Sequence, residues 1–195
     1  QPTLAVWLGG NGMPAGPTVD PALGKFLPRV GWPGIALDAL PQLDAILLTH
    51  AHADHLSFNS LDALPNDIPL FAPPSIAKWL GKQGYRHAVA VAPGEGTELE
   101  GVTIQAAAAT HKGNRYGVDR WRSATNMYLI DTKEVSCFFA GDTALTAAST
   151  QLVDDHLVAR SRKLDVALLP IGSAPWWNPG FRNGPPPTPD APTRS

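Results

Sequence analysis

Apolar positions along the chain fall into short runs, and their spacing sets the expected elements. DAILL (residues 44–48) is continuous between polar breakers, the pattern of a strand buried on both faces. TLAVWL (3–8), IPLFA (68–72), HAVAVA (87–92), TELE (97–100) and VTIQAAAA (102–109) are further strand candidates. ATNMYLID (124–131) and EVSCFFA (134–140) read as alternating runs joined by a hairpin at Thr132-Lys133, and LDVALLPIG (164–172) as a last buried strand. Helices are expected at SFNSLDAL (57–64), with Ser57 as N-cap, and at PPSIAKWLGKQG (73–84), opened by Pro74 and closed by Gly81 or Gly84. TALTAASTQLVDDHLVARS (143–161) should be mainly helix. The order is βαβα and then strand-rich, which points to an α/β fold.

Composition refines this picture at the ends. Twenty prolines in 195 residues is about twice the usual share, and they crowd the first and last segments. The stretch at residues 9–34 therefore reads as a long loop, and 180–195 as an irregular Pro-rich tail behind one domain at 1–179. A net charge of -2 and a pI of about 6.3 lack the basic footprint of a nucleic-acid binder. No apolar run reaches the roughly 18 to 20 residues of a membrane span, so a soluble protein is expected. The start of the chain does not read as a signal peptide, and a single cysteine, Cys137, permits a reducing compartment. The expected location is the cytoplasm.

The histidines carry the chemistry. Three of the six lie in THAHADHL (49–56), directly behind the DAILL strand. Side chains alternate along an extended backbone, so His50 and His52 point to the same side, and the following turn adds Asp54 and His55. Ala51 and Ala53 leave steric room for a tight loop around one or two ions. Histidine nitrogen with carboxylate oxygen suits Zn²⁺. His111, in ATHKG, follows another apolar strand and suits a third nitrogen ligand. Asp142, in FAGDT, follows a third, where a carboxylate can bridge two cations. His87 reads as a strand-edge residue and His156 as part of a solvated helix face.

THAHADHL, ATHKG, FAGDT and LDVALLPIG, in this order, resemble the metallo-β-lactamase fold superfamily. LDVALLPIGSAPWW further resembles the branch containing N-acyl-phosphatidylethanolamine phospholipase D and UlaG-like lactonases. The resemblance implies an αββα sandwich with the site at one edge of its two sheets. It implies that His50, His52 and His111 bind one zinc, that Asp54 and His55 bind a second, and that Asp142 bridges them. Hydroxide formed from zinc-bound water, oriented by Asp54 and Asp142, would then attack a phosphodiester or lactone-type ester. Mn²⁺ is the alternative metal, and the partner is a small-molecule ester, not nucleic acid.

Two departures from the family qualify that expectation. Relatives carry a histidine where this chain has Gly10, and they supply one more histidine to the second metal, whereas none follows Gly172 here. The sequence therefore reads as a truncated version with a weakened second site. The competing reading is a metal-binding remnant without turnover. In the loop after His111, Arg115, Tyr116, Trp121 and Arg122 are candidate substrate contacts, and Trp176 and Trp177 are candidates for the mouth of the site.

Overall fold

The computed structural model describes Val6–Leu8 and residues 39–53, 55–115 and 119–170. Expectations placed on the amino-terminal loop, Gly10, Asp54, Tyr116, Trp176, Trp177 and the Pro-rich tail lie outside the described residues. One sheet runs β1 (Val6–Leu8), β2 (Ala45–Leu47), β3 (Leu70–Ala72), β4 (Ala88–Ala90), and every pairing in it is parallel. The second runs β5 (Gly96–Leu99), β6 (Val102–Ala108), β7 (Asn126–Asp131), β8 (Ser136–Phe139), β9 (Val166–Leu168). It is antiparallel as far as β8, and β9 lies parallel to β8. The helices are α1 (Phe58–Asp62) between β2 and β3, α2 (Pro74–Lys82) between β3 and β4, and α3 (Ala147–His156) between β8 and β9.

The alternation of side chains along the strands sorts the core into three layers of contact. In β2 and its extension, Ile46 and Leu48 join Leu61, Ile76, Ala77 and Leu80 under α1 and α2, whereas Ala45 and Leu47 face the second sheet. There they meet Val102, Ile104, Ala106, Tyr128 and Ile130. The other face of β7, Met127 and Leu129, packs with Phe138 of β8 against Leu152 of α3. The result is an αββα sandwich: helices, sheet, sheet, helix. This explains why residues 45–48 are apolar throughout, since both faces of the strand are covered.

Several expectations change. The run in β7 does not alternate between buried and exposed, because all six of its residues are buried between the first sheet and α3. The last strand forms where expected but is not buried. β9 pairs only with β8 among the described residues, and Val166 and Leu168 stay 43% and 40% exposed. Ser57 does precede α1, but its hydroxyl makes no capping hydrogen bond. At the end of α2 it is Gly84, at φ 104°, that takes the left-handed turn, not Gly81. Of the long segment at 143–161, helix begins only at Ala147, where Thr146 N–H donates to Ser149 Oγ at 2.9 Å.

Candidate metal centre

Strand polarity brings the candidate ligands to one edge. β6 and β8 both run antiparallel to β7, so their carboxyl ends, leading to His111 and Asp142, emerge on the same side. The carboxyl end of β2 is tied to that edge by backbone hydrogen bonds. Leu48 N–H donates to Phe71 O at 2.9 Å in its own sheet, while Asn126 N–H, at the start of β7, donates to Thr49 O at 2.8 Å. His50 therefore begins where the two sheets are stitched together.

A buried polar network fixes this seam. The Tyr128 hydroxyl donates to Leu48 O at 2.8 Å, and the Asn126 amide donates to Tyr128 Oη at 3.1 Å and to Val91 O at 2.9 Å. Burial raises the Tyr128 pKa, against an opposing effect of the Asn126 hydrogen bond, so the phenol keeps the proton it donates. Tyr128→Phe leaves the buried Leu48 carbonyl without that donor. It should cost about 1–3 kcal/mol in denaturant unfolding, while an unchanged midpoint would show the bond to be dispensable.

Two glycines allow the ligand segments to close in. A Cβ on Gly113 would lie 2.7 Å from Thr125 Cγ2 and 3.1 Å from His50 Cβ. A Cβ on Gly141, whose φ is +60°, would lie 2.8 Å from Thr49 Cγ2. The His111 segment is held to the Asp142 segment by Thr110 N–H donating to Thr143 Oγ1 at 2.7 Å.

The described candidate side chains lie close together. His50 Nε2 lies 2.9 Å from His52 Nδ1, and His111 Nε2 lies 3.1 Å from the same atom. His50 and His111 Nε2 are each 4.0 Å from Asp142 Oδ2, and His55 Nε2 reaches that oxygen at 3.0 Å. His55 arrives there because the chain turns back after His52, whose carbonyl accepts from the amides of both His55 and Leu56. His50, His52, His111 and Asp142 offer ligand atoms all within 4.8 Å of one another.

This donor set fits a metal ion. One imidazole nitrogen has a single in-plane position for a proton or a partner, yet His52 Nδ1 faces two other nitrogens. A cation at their centre satisfies all of the lone pairs together. A tetrahedral ion with bonds of about 2.0–2.1 Å separates its ligands by roughly 3.3–3.4 Å, and the separations here, from 2.9 Å up to the 4.8 Å that bounds the group, bracket that spacing. Burial, followed by the neighbouring His55, His52 and His111, holds the His50 imidazole well below its usual pKa, hence neutral and able to ligate. Burial pushes the Asp142 carboxyl up, but the hydrogen bond from His55 and the surrounding histidines outweigh it and lower its pKa. Thr49 Oγ1, 2.9 Å from His50 Nδ1, can accept the proton on that nitrogen and so turn Nε2 toward the centre.

The loop after His111 corrects part of the sequence reading. Arg115 is 3% exposed and bonds to backbone carbonyls, and Trp121, 7% exposed, packs its ring 4.6 Å from Trp79 in the helix-side core. Neither is a surface for substrate. Arg122 is exposed, and its carbonyl accepts from Gly113 N–H. His87 is exposed just before β4, and His156 closes α3, both away from the ligand group. Sequence reading missed Thr49, Thr143, Asn126 and Tyr128. The only hint was polar residues inside otherwise apolar runs.

Comparison with known proteins agrees with this fold. The family model described as Beta-lactamase superfamily domain matches residues 15–180. A UPF0173 metal-dependent hydrolase of Deinococcus radiodurans is 31% identical over 131 residues, covering 67% of this chain and 54% of the relative. Among solved structures, Igni18, a metallo hydrolase of Ignicoccus hospitalis, aligns with TM-score 0.57 and 24% identity over 73% of this chain and 59% of its own. A diiron β-hydroxylase of Streptomyces venezuelae aligns with TM-score 0.54 and 20% identity, covering 71% of this chain and 28% of its own. These two likenesses concern the fold. The chain spans between 38% and 56% of the length of the curated relatives it matches.

Proposed function

Since the chain belongs to the β-lactamase superfamily domain family, we propose that it is a metal-dependent hydrolase, with zinc at the centre and a phosphodiester or lactone-type ester as substrate. The observation that carries this reading is the convergence of His50, His52, His111 and Asp142 from three strand ends. A bound Zn²⁺ supplies Lewis acidity and lowers the pKa of a coordinated water to about 7. His50, His52 and His111 would hold one ion through neutral nitrogen. Asp54 and His55 would hold a second, and Asp142, whose Oδ2 lies near His50, His55 and His111, would serve both.

Asp54 and Asp142 would act as the catalytic carboxylates, orienting the attacking water. The metal is not dictated by the fold, since the Streptomyces neighbour is named for two irons, and Mn²⁺ remains the alternative to zinc. A small-molecule ester is favoured over a nucleic acid because the net charge of -2 provides no field to attract a polyanion. The LDVALLPIG resemblance favours the phosphodiesterase and lactonase chemistry over β-lactam cleavage.

The test is metal analysis joined to a substrate panel: a bis-aryl phosphodiester, a homoserine-type lactone and a chromogenic β-lactam. About two equivalents of metal are expected, with hydrolysis of one of the first two substrates that stops on chelation and returns with Zn²⁺ or Mn²⁺. Chelator-resistant turnover, or one tightly held ion with no turnover on any ester, would overturn the reading.

A further inference from the structure

We infer that Arg115 is a positioning residue that sets the shape of the His50–His55 loop and couples it to the segment carrying His111; this rests on the metal-centre reading above. Arg115 is 3% exposed, so its guanidinium is not a substrate contact. A single nitrogen, Nη1, donates to Ala51 O at 3.0 Å and to Leu56 O at 2.7 Å. Those two carbonyls bracket the ligand loop. Ala51 stands between His50 and His52, and Leu56 directly follows His55. Pulling both onto one nitrogen closes the turn from two sides, in addition to the amide bonds from His55 and Leu56 to His52 O.

The anchor for this clamp comes from the other ligand segment. Arg115 lies four residues after His111, behind Gly113, which packs against His50 and is tied to Arg122 O by its own amide. A shift of the His111 segment is therefore transmitted to the His50–His55 loop through the arginine, and the reverse. The guanidinium carbon sits 5.8 Å from the centre of the Phe58 ring at the start of α1, which limits its freedom to swing away. Ala51 and Leu56 are both fully buried residues, so the two carbonyls have little access to water as a substitute donor.

Arg115→Met keeps an unbranched apolar stem and removes both donors. Chelator competition with Zn²⁺ should show ion binding weakened by about 10- to 100-fold. Hydrogen exchange on the metal-free protein should show faster exchange across residues 51–56, with β6 and β7 still protected. Arg115→Lys can offer both bonds from one ammonium, but that nitrogen ends short of the Nη1 position; it should weaken Zn²⁺ by at least roughly threefold yet less than Met. Wild-type Zn²⁺ affinity and loop exchange in a folded Arg115→Met protein would overturn the inference. If Arg115→Met does not fold, Arg115→Lys decides, and wild-type affinity there overturns it equally. A wild-type protein that binds neither Zn²⁺ nor Mn²⁺ would instead sink the metal-centre reading, and the exchange comparison would still report on the clamp.

Discussion

Asp142→Asn is expected to lower metal-dependent hydrolysis by at least about 100-fold while leaving the thermal midpoint of the metal-free protein close to wild type. Its Oδ2 lies within 4.0 Å of ring nitrogens of His50, His55 and His111. Its lowered pKa keeps it an anion at neutral pH. Asparagine preserves the shape but removes that charge, and it turns either a neutral oxygen or an N–H₂ donor toward the centre. The Lewis-acid contribution of a well-held ion is several kcal/mol, and each 1.4 kcal/mol is about tenfold in rate, which sets the scale of the loss. Metal content should fall in parallel. Turnover and metal stoichiometry equal to wild type would remove Asp142 from the centre and with it the argument that a carboxylate is shared there.

Gly141→Ala should be the most damaging change that alters no functional group. The backbone at Gly141 has φ +60°, which costs an L-residue about 1–2 kcal/mol. Its new Cβ would also meet Thr49 at 2.8 Å from Cγ2, 3.0 Å from Cβ and 3.1 Å from Oγ1. Threonine is branched at Cβ and cannot step aside by a simple rotation, and Thr49 is also the residue against His50 Nδ1. Overpacking of this kind adds about 1–3 kcal/mol, for roughly 2–5 kcal/mol in total. In a domain of this size that is a fall on the order of 5–15 °C in the melting temperature. Zn²⁺ affinity should fall as well, because Asp142 and His50 are pushed apart together. A melting curve and ion affinity matching wild type would show that the close approach of these two segments is not needed.

The same two positions show how far the sequence could be read. GDT in FAGDT announced a turn and a carboxylate behind a strand, but not that the glycine serves to bring Asp142 against the chain just before His50. Arg115 shows the same limit. As a basic residue in a polar loop it could be either a substrate contact or a solvated side chain, and its burial and two carbonyl partners make it neither.

By itself the sequence determined the order and type of the elements, because hydrophobic periodicity is a local property that survives without knowledge of neighbours. It also determined which residues could ligate, because His-x-His on an extended strand end puts two imidazoles on one side by backbone geometry alone. Tertiary structure decided the rest. That His111 and Asp142 join His50 and His52 depends on the antiparallel placement of β6, β7 and β8, set by pairings between residues far apart in the chain. That β9 stands exposed while β7 is buried on both faces depends on which layers cover each strand, and no strand carries that information in its own residues.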